Sequence, residues 1–176
     1  MASPQALSED DRRTVAAWAA DCAERVLPLF EAEAPDDDRP RDGIARARAF
    51  ARGELAATEE IRRRFVAGRA AGAVTSPAAI SAARAAGQAS GVAHMGAHAL
   101  GAAAYAAKAA GLASPESDAR SAEVDWQLAH MTVEVRSALV RLPLLGQDSA
   151  GPLRAGLLST GVLATTIREL QAAIRS

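Results

Sequence analysis

Cysteine occurs once in the 176 residues, at Cys22, so no disulfide can form within the chain and nothing in it points to an oxidising compartment. Aromatic residues make up only 3% of the sequence, which excludes a core built on large rings and leaves alanine to carry much of the apolar content. Side chains that small imply closely packed helices. No stretch has the bulky apolar length of a membrane span: the nearest, Val92 to Leu112, is mostly Ala and Gly and is interrupted by His94, His98 and Lys108. The N-terminus, MASPQALSEDDRR, is polar and acidic where a secretory signal would be basic and then apolar. These absences lead us to expect a soluble, cytoplasmic protein without a membrane partner. An excess of either charge is also missing. The net charge of -1 and pI near 6.3 argue against a nucleic-acid partner, and the local run Arg62, Arg63, Arg64 reads as a solvated helix face.

What is present is helical periodicity throughout, with no competing strand pattern. The length suits a single domain spanning 1–176. Ser8 followed by three acids predicts a first helix from Ser8 to about Val26, which Pro28 should kink or end, and APDDDRPRDG then reads as a loop. Asp38 with Pro40 opens a second helix, and Thr58 caps a third. Ser76 and Pro77 start a long segment running to Lys108, with possible breaks at Gly87 or Gly91. A fifth helix is expected from about Ser114 to Leu142, and a last one from Leu153 to Ile174. The expectation is an all-α, single-domain bundle of about six helices around a central Ala/Gly-rich helix.

That central segment carries the residues with chemistry. At about 100° per residue, His94, His98, Gly101, Tyr105 and Lys108 fall on one helix stripe, in surroundings of alanine and glycine. The spacing of His94 and His98 also occurs in zinc sites, but the intervening Met95, Gly96 and Ala97 lack the Glu of HExxH. A third ligand would have to come from His130, Glu134 or Asp21, and we assign no metal and no cofactor. Gln127, His130 and Glu134, beside Trp126, form a second polar stripe that could face the first, allowing proton transfer by His94, His98 or His130 with Tyr105 as acid. The bland alternative is a hydrogen-bonded structural network. Asp21 can pair with Arg25 or Arg48, the latter joining two helices or holding an anion, and Cys22 reads as a small core residue.

The pieces DCAERVLPLFE (21–31), RPRDGIARARAFARGE (39–54), AARAAGQASGVAHMGAHALGAAAYAAKAA (82–110) and WQLAH (126–130) resemble the Imm-five-like immunity protein family, all-helical bacterial proteins common in actinobacteria. The resemblance covers roughly residues 8–142, and the string from Ala93 to Ala110 is its most specific part. It implies toxin binding and marks Asp21, Arg39, Arg41, Arg48, His94, His98, Tyr105, Lys108, Trp126 and Gln127. This chain departs from the family pattern at Phe50, where Trp is usual, and at Ser90 and Gly91, where bulkier residues or Ala are usual, changes that would widen a cavity.

Two functions remain open from the sequence. One is an immunity-type binding protein with an interior polar site and a toxin partner. The other is a small-molecule-binding protein or a cofactor-free acid–base enzyme, of isomerase, cyclase or lyase type, in bacterial specialised metabolism. In the second, His94, His98, His130 and Tyr105 would move protons, while Asp21, Arg48, Lys108, Trp126 and Gln127 would hold a small organic ligand. The oligomeric state is open.

Overall fold

Ser8 opens the first helix as its acidic run predicts, its side chain accepting a hydrogen bond from the Asp11 amide at 3.1 Å. In this computed structural model, which describes residues 3–176, the helix α1 spans Glu9–Glu31 and passes through Pro28. Burial of Leu27 and Phe30 on either side of Pro28 offsets the hydrogen bond that proline forfeits, so the expected stop does not occur. Met1 and Ala2, the start of the polar N-terminus, lie outside the described residues.

The remaining helices are α2 (Arg39–Ala51), α3 (Ala57–Arg63), α4 (Val66–Arg69), α5 (Pro77–Gly91), α6 (His98–Ala113), α7 (Ala119–Ala129), α8 (Val133–Leu139) and α9 (Gly161–Arg175). Short 3-10 turns cover Ala70–Ala73 and Leu157–Ser159, and no strand occurs among the described residues. The all-α reading therefore stands, with more helices than the expected six. The long segment from Ser76 is two helices, the first ending at Gly91, one of the two possible breaks; the predicted fifth helix is divided as well, and α4 is additional.

The first division lies at Val92–Ala97, between α5 and α6. There the amides of Gly96 and Ala97 donate to the carbonyls of Ala6 and Gln5 instead of continuing a helical ladder. The Leu7 side chain occupies the space beside Gly96, where an added Cβ would lie 2.5 Å from Leu7 Cδ1. The second division follows His130, where the Thr132 hydroxyl caps α8 by accepting from the Val135 amide at 3.2 Å. The third helix begins at Ala57 rather than being capped by Thr58. The last begins at Gly161 rather than Leu153, because Leu153 is buried within a loop whose turns use positive φ at Gly146 and Gly151.

Helix α6 lies at the centre, buried on almost every side by α1, α5, α7 and α9. Its residues from Ala99 to Ala107 are all buried, and small side chains let the neighbouring helices approach. On the outer side of α1 and α5 pack α2 and the short helices α3 and α4. Leu163, Ile167, Leu170 and Ile174 recur along α9 at helical spacing and close the core against α6 and its neighbours.

Candidate functional site

Helix α5 owes its start to Ser76, whose hydroxyl accepts from the Ala79 amide at 3.2 Å, with Pro77 in the first turn. Its last turns carry Arg84, Gly87, Gln88 and Gly91 at spacings that place them along one side. At Gly87 the backbone of α4 approaches closely: a Cβ added there would fall 2.7 Å from the Gly68 Cα. Only two glycines allow that approach. At this crossing Arg64, Phe65, Arg69, Arg84 and Gln88 line a cleft of about 770 Å³ together with His94 and His98.

His98 is mostly enclosed, and its Nδ1 lies 2.8 Å from the Gln88 Oε1. Because an amide oxygen accepts, this contact assigns the proton to Nδ1. Burial, with the charges of His94 and Arg64 added, pushes the His98 pKa down to about 4. His94 is more exposed, and its pKa is lowered by burial and by Arg64 and Arg12. The two rings are 6.5 Å apart between centroids and tilted. Both glycines beside His98 and Gln88 are needed for this arrangement. A Cβ at Gly91 would lie 2.9 Å from His98 Cγ, and one at Gly101 would lie 2.2 Å from Gln88 Oε1.

The wall is positive and uncompensated. None of the residues lining the cleft is a carboxylate. Arg64 lies over the Phe65 ring at 4.3 Å and donates to the Ile61 carbonyl. Among the described residues Arg69 and Arg84 make neither an ion pair nor a side-chain hydrogen bond. Many arginines outside the cleft sit in ion pairs, among them Arg25 with Glu123, Arg46 with Glu59 and Glu60, Arg120 with Glu169, and Arg141 with Asp11. Phe65 is the one aromatic on the cleft wall outside the histidines and stands 56% exposed.

The other sequence candidates are dispersed. Tyr105 is buried on α6 and does not line the cleft; burial raises its pKa, with Arg84 opposing. Lys108 is half-buried a turn further on. The two polar stripes do not meet, because α7 ends before His130 and places that ring at the surface, stacked on Trp126 at 4.0 Å with Nδ1 on the Trp126 carbonyl. Trp126 also lies under Arg25, whose guanidinium is 3.9 Å from the ring centroid, so Arg25 pairs here and with Glu123 rather than with Asp21. Gln127 is fully buried and donates to the Ala103 carbonyl of α6 at 3.0 Å, while its own backbone carbonyl accepts from Trp18 Nε1. Asp21 does meet Arg48, at 2.7 Å, but Glu24 takes the same guanidinium through two bonds of 2.7 Å. Those carboxylates raise the Arg48 pKa and leave its fork no free edge for an anion. Glu134 is exposed on α8, and among the described residues no three His, Cys, Asp or Glu side chains gather to hold a metal ion. Cys22 is buried, and burial followed by Glu123 and Asp21 pushes its thiol pKa up, as suits a core residue.

Sequence reasoning found the histidines and missed Arg64, Arg69, Arg84, Gln88 and Phe65 as their neighbours. A signal existed in the spacing of Arg84, Gln88 and Gly91, but nothing in the sequence placed α4 against that side of α5.

Residues 5–134 match the family described as Imm-5 like putative immunity protein. The chain belongs to this family. Neither the curated proteins nor the solved structures contain a match to it. The Imm-5 like match takes in the whole cleft, from Arg64 to His98, and stops within α8. The final loop and α9 lie outside it, although α9 closes the core against α6. Phe50 and Gly91 sit in different settings. Phe50 is buried in the core with Arg13 4.3 Å above its ring, whereas Gly91 lines the cleft and makes room for His98. Among the described residues no helix is long and apolar enough to cross a membrane.

Proposed function

We propose that the protein acts by binding rather than turnover, as an immunity-type protein that receives an acidic face of its toxin partner at the Arg64–Arg69–Arg84 cleft. One observation carries this reading: three arginines line a single concavity without a carboxylate among them, in a chain of net charge -1. Local positive potential in a near-neutral molecule favours a negatively charged partner and speeds its encounter. Arginine beside an exposed aromatic is also the composition of binding hot spots. Against turnover, the proton-handling candidates do not converge: Tyr105 and His130 lie away from the cleft, and no carboxylate orients either cleft histidine.

The test is a double variant, Arg69→Ala with Arg84→Ala, titrated with the toxin. Both side chains are exposed and unpaired, so the fold should melt as before, while affinity falls by about a hundredfold and the association rate loses its salt dependence. Unchanged affinity in a folded double variant would remove the cleft from the interface. The second reading is a small-molecule protein with acid–base chemistry, and the neutral, enclosed His98 favours it. It requires turnover that His98→Gln abolishes without loss of fold.

A further inference from the structure

The cleft has two parts with different chemistry, and together they describe a ligand smaller than a protein. One part of the lining is polar, the histidines with Gln88 and the arginines; the other is the exposed Phe65 ring, with Arg64 over it, and the glycines where α4 crosses α5. A volume of about 770 Å³ lies within the size range of small-molecule sites, and its glycine floor lets a ligand approach main chain directly. We infer that the cleft is itself a binding site for a small organic oxyanion, a phosphate or carboxylate on an aromatic or apolar body, which the arginines hold by its charge and Phe65 by its flat face.

Three independent features support this assignment. Arg69 and Arg84 have no partner among the described residues, so their donors are available to an oxyanion without breaking an existing pair. The field on the histidines is net positive, since Arg64 and Arg12 both act to keep His94 uncharged and no acid opposes them. A bound anion would relieve that field. Finally, the Gly91 and Gly101 positions show that the His98–Gln88 pair is built into close backbone contacts, which fixes a polar wall in place before any ligand arrives.

The inference rests on the cleft being the recognition site, and it adds that a free oxyanion competes with the toxin for it. Phenyl phosphate, benzoate, inorganic phosphate and benzyl alcohol are the probes, titrated into the full chain by calorimetry and followed by the ring-proton resonances of His94 and His98. Phenyl phosphate or benzoate should bind with one-to-one stoichiometry, shift both histidine signals, and lose about tenfold or more in affinity in the Arg69→Ala, Arg84→Ala variant. Inorganic phosphate should bind more weakly and benzyl alcohol not at all, since each supplies only one half of the recognition. Phosphate preferred over carboxylate at equal body size would name the phosphoryl class, and the reverse the carboxylate class. Absence of binding by both aromatic anions overturns the inference, even if the toxin still binds through the arginines. Anion binding with a toxin affinity indifferent to the anion and to the arginine variant would instead overturn the toxin reading and leave the ligand site standing. Binding of benzyl alcohol as tight as phenyl phosphate would show an apolar slot and sink the oxyanion assignment.

Discussion

Folding encloses most of His98 and sets it beside His94 and Arg64, so its pKa drops to about 4 from the ordinary 6.5. The unfolded chain then takes up a proton near pH 6.5 that the folded chain refuses until about pH 4. Stability linked to this residue is complete above pH 6.5 and is lost as pH falls through that window, with a cost of about 2 kcal/mol by pH 5. Denaturant melts of the wild type at pH 7.5 and pH 5 should show that loss, and His98→Gln should flatten it. An equally steep pH dependence in the variant would assign the titration elsewhere. At this scale the sequence was informative about which residues matter and poor about what surrounds them. His94 and His98 share a site as their spacing suggests, even though only His98 is helical. Tyr105 and Lys108 do not join them, because Tyr105 lies about two turns of α6 beyond His98, buried under neighbouring helices, and Lys108 nearly a turn further. Arg64 looked like part of a solvated run, and only the fold reveals that it faces histidines rather than water alone.

Among the elements, the crossing of α4 over α5 decides whether a cleft exists. Gly87→Ala would improve helix propensity by up to about 1 kcal/mol, but its new methyl would meet the Gly68 Cα at 2.7 Å, and backbone cannot rotate away as a side chain can. The clash should win, destabilising the protein by roughly 1–3 kcal/mol and separating α4 from α5. Gly72→Ala, with nothing within 4 Å of its added Cβ, is the matched control and should be neutral or slightly stabilising. Urea melts of the pair measure the difference, and equal stabilities would refute close backbone contact at Gly87. Helix positions were legible where caps were local, as at Ser8 and Ser76. Gly91 also marked a possible break, and α5 ends there, but what holds that break depends on distant chain: nothing near Gly91 showed that residues 5–7 would occupy the turn between α5 and α6.

Across the whole molecule, Gln5 is the most connected of the early residues. Its buried side chain donates to the Ala150 carbonyl and accepts from the Leu153 amide at 2.8 Å, while its backbone carbonyl takes the Ala97 amide. One residue thus joins the final loop to the turn that carries His94. Gln5→Ala leaves the buried Leu153 amide without an acceptor and should cost about 1–3 kcal/mol. Amide exchange should accelerate through residues 145–158 before it does in α6; uniform protection in the variant would show that the clasp contributes nothing. The same connection constrains the order in which the protein can be completed on the ribosome. Gln5 leaves the ribosome 148 residues ahead of Leu153. The turn can be secured by the Gln5 and Ala6 carbonyls soon after α6 is out, so the arginine cleft can take shape in a nascent chain. The side of α6 that α9 covers stays bare until α9 emerges, and a chain stalled near Leu153 would carry a finished cleft on an unsealed, protease-sensitive core.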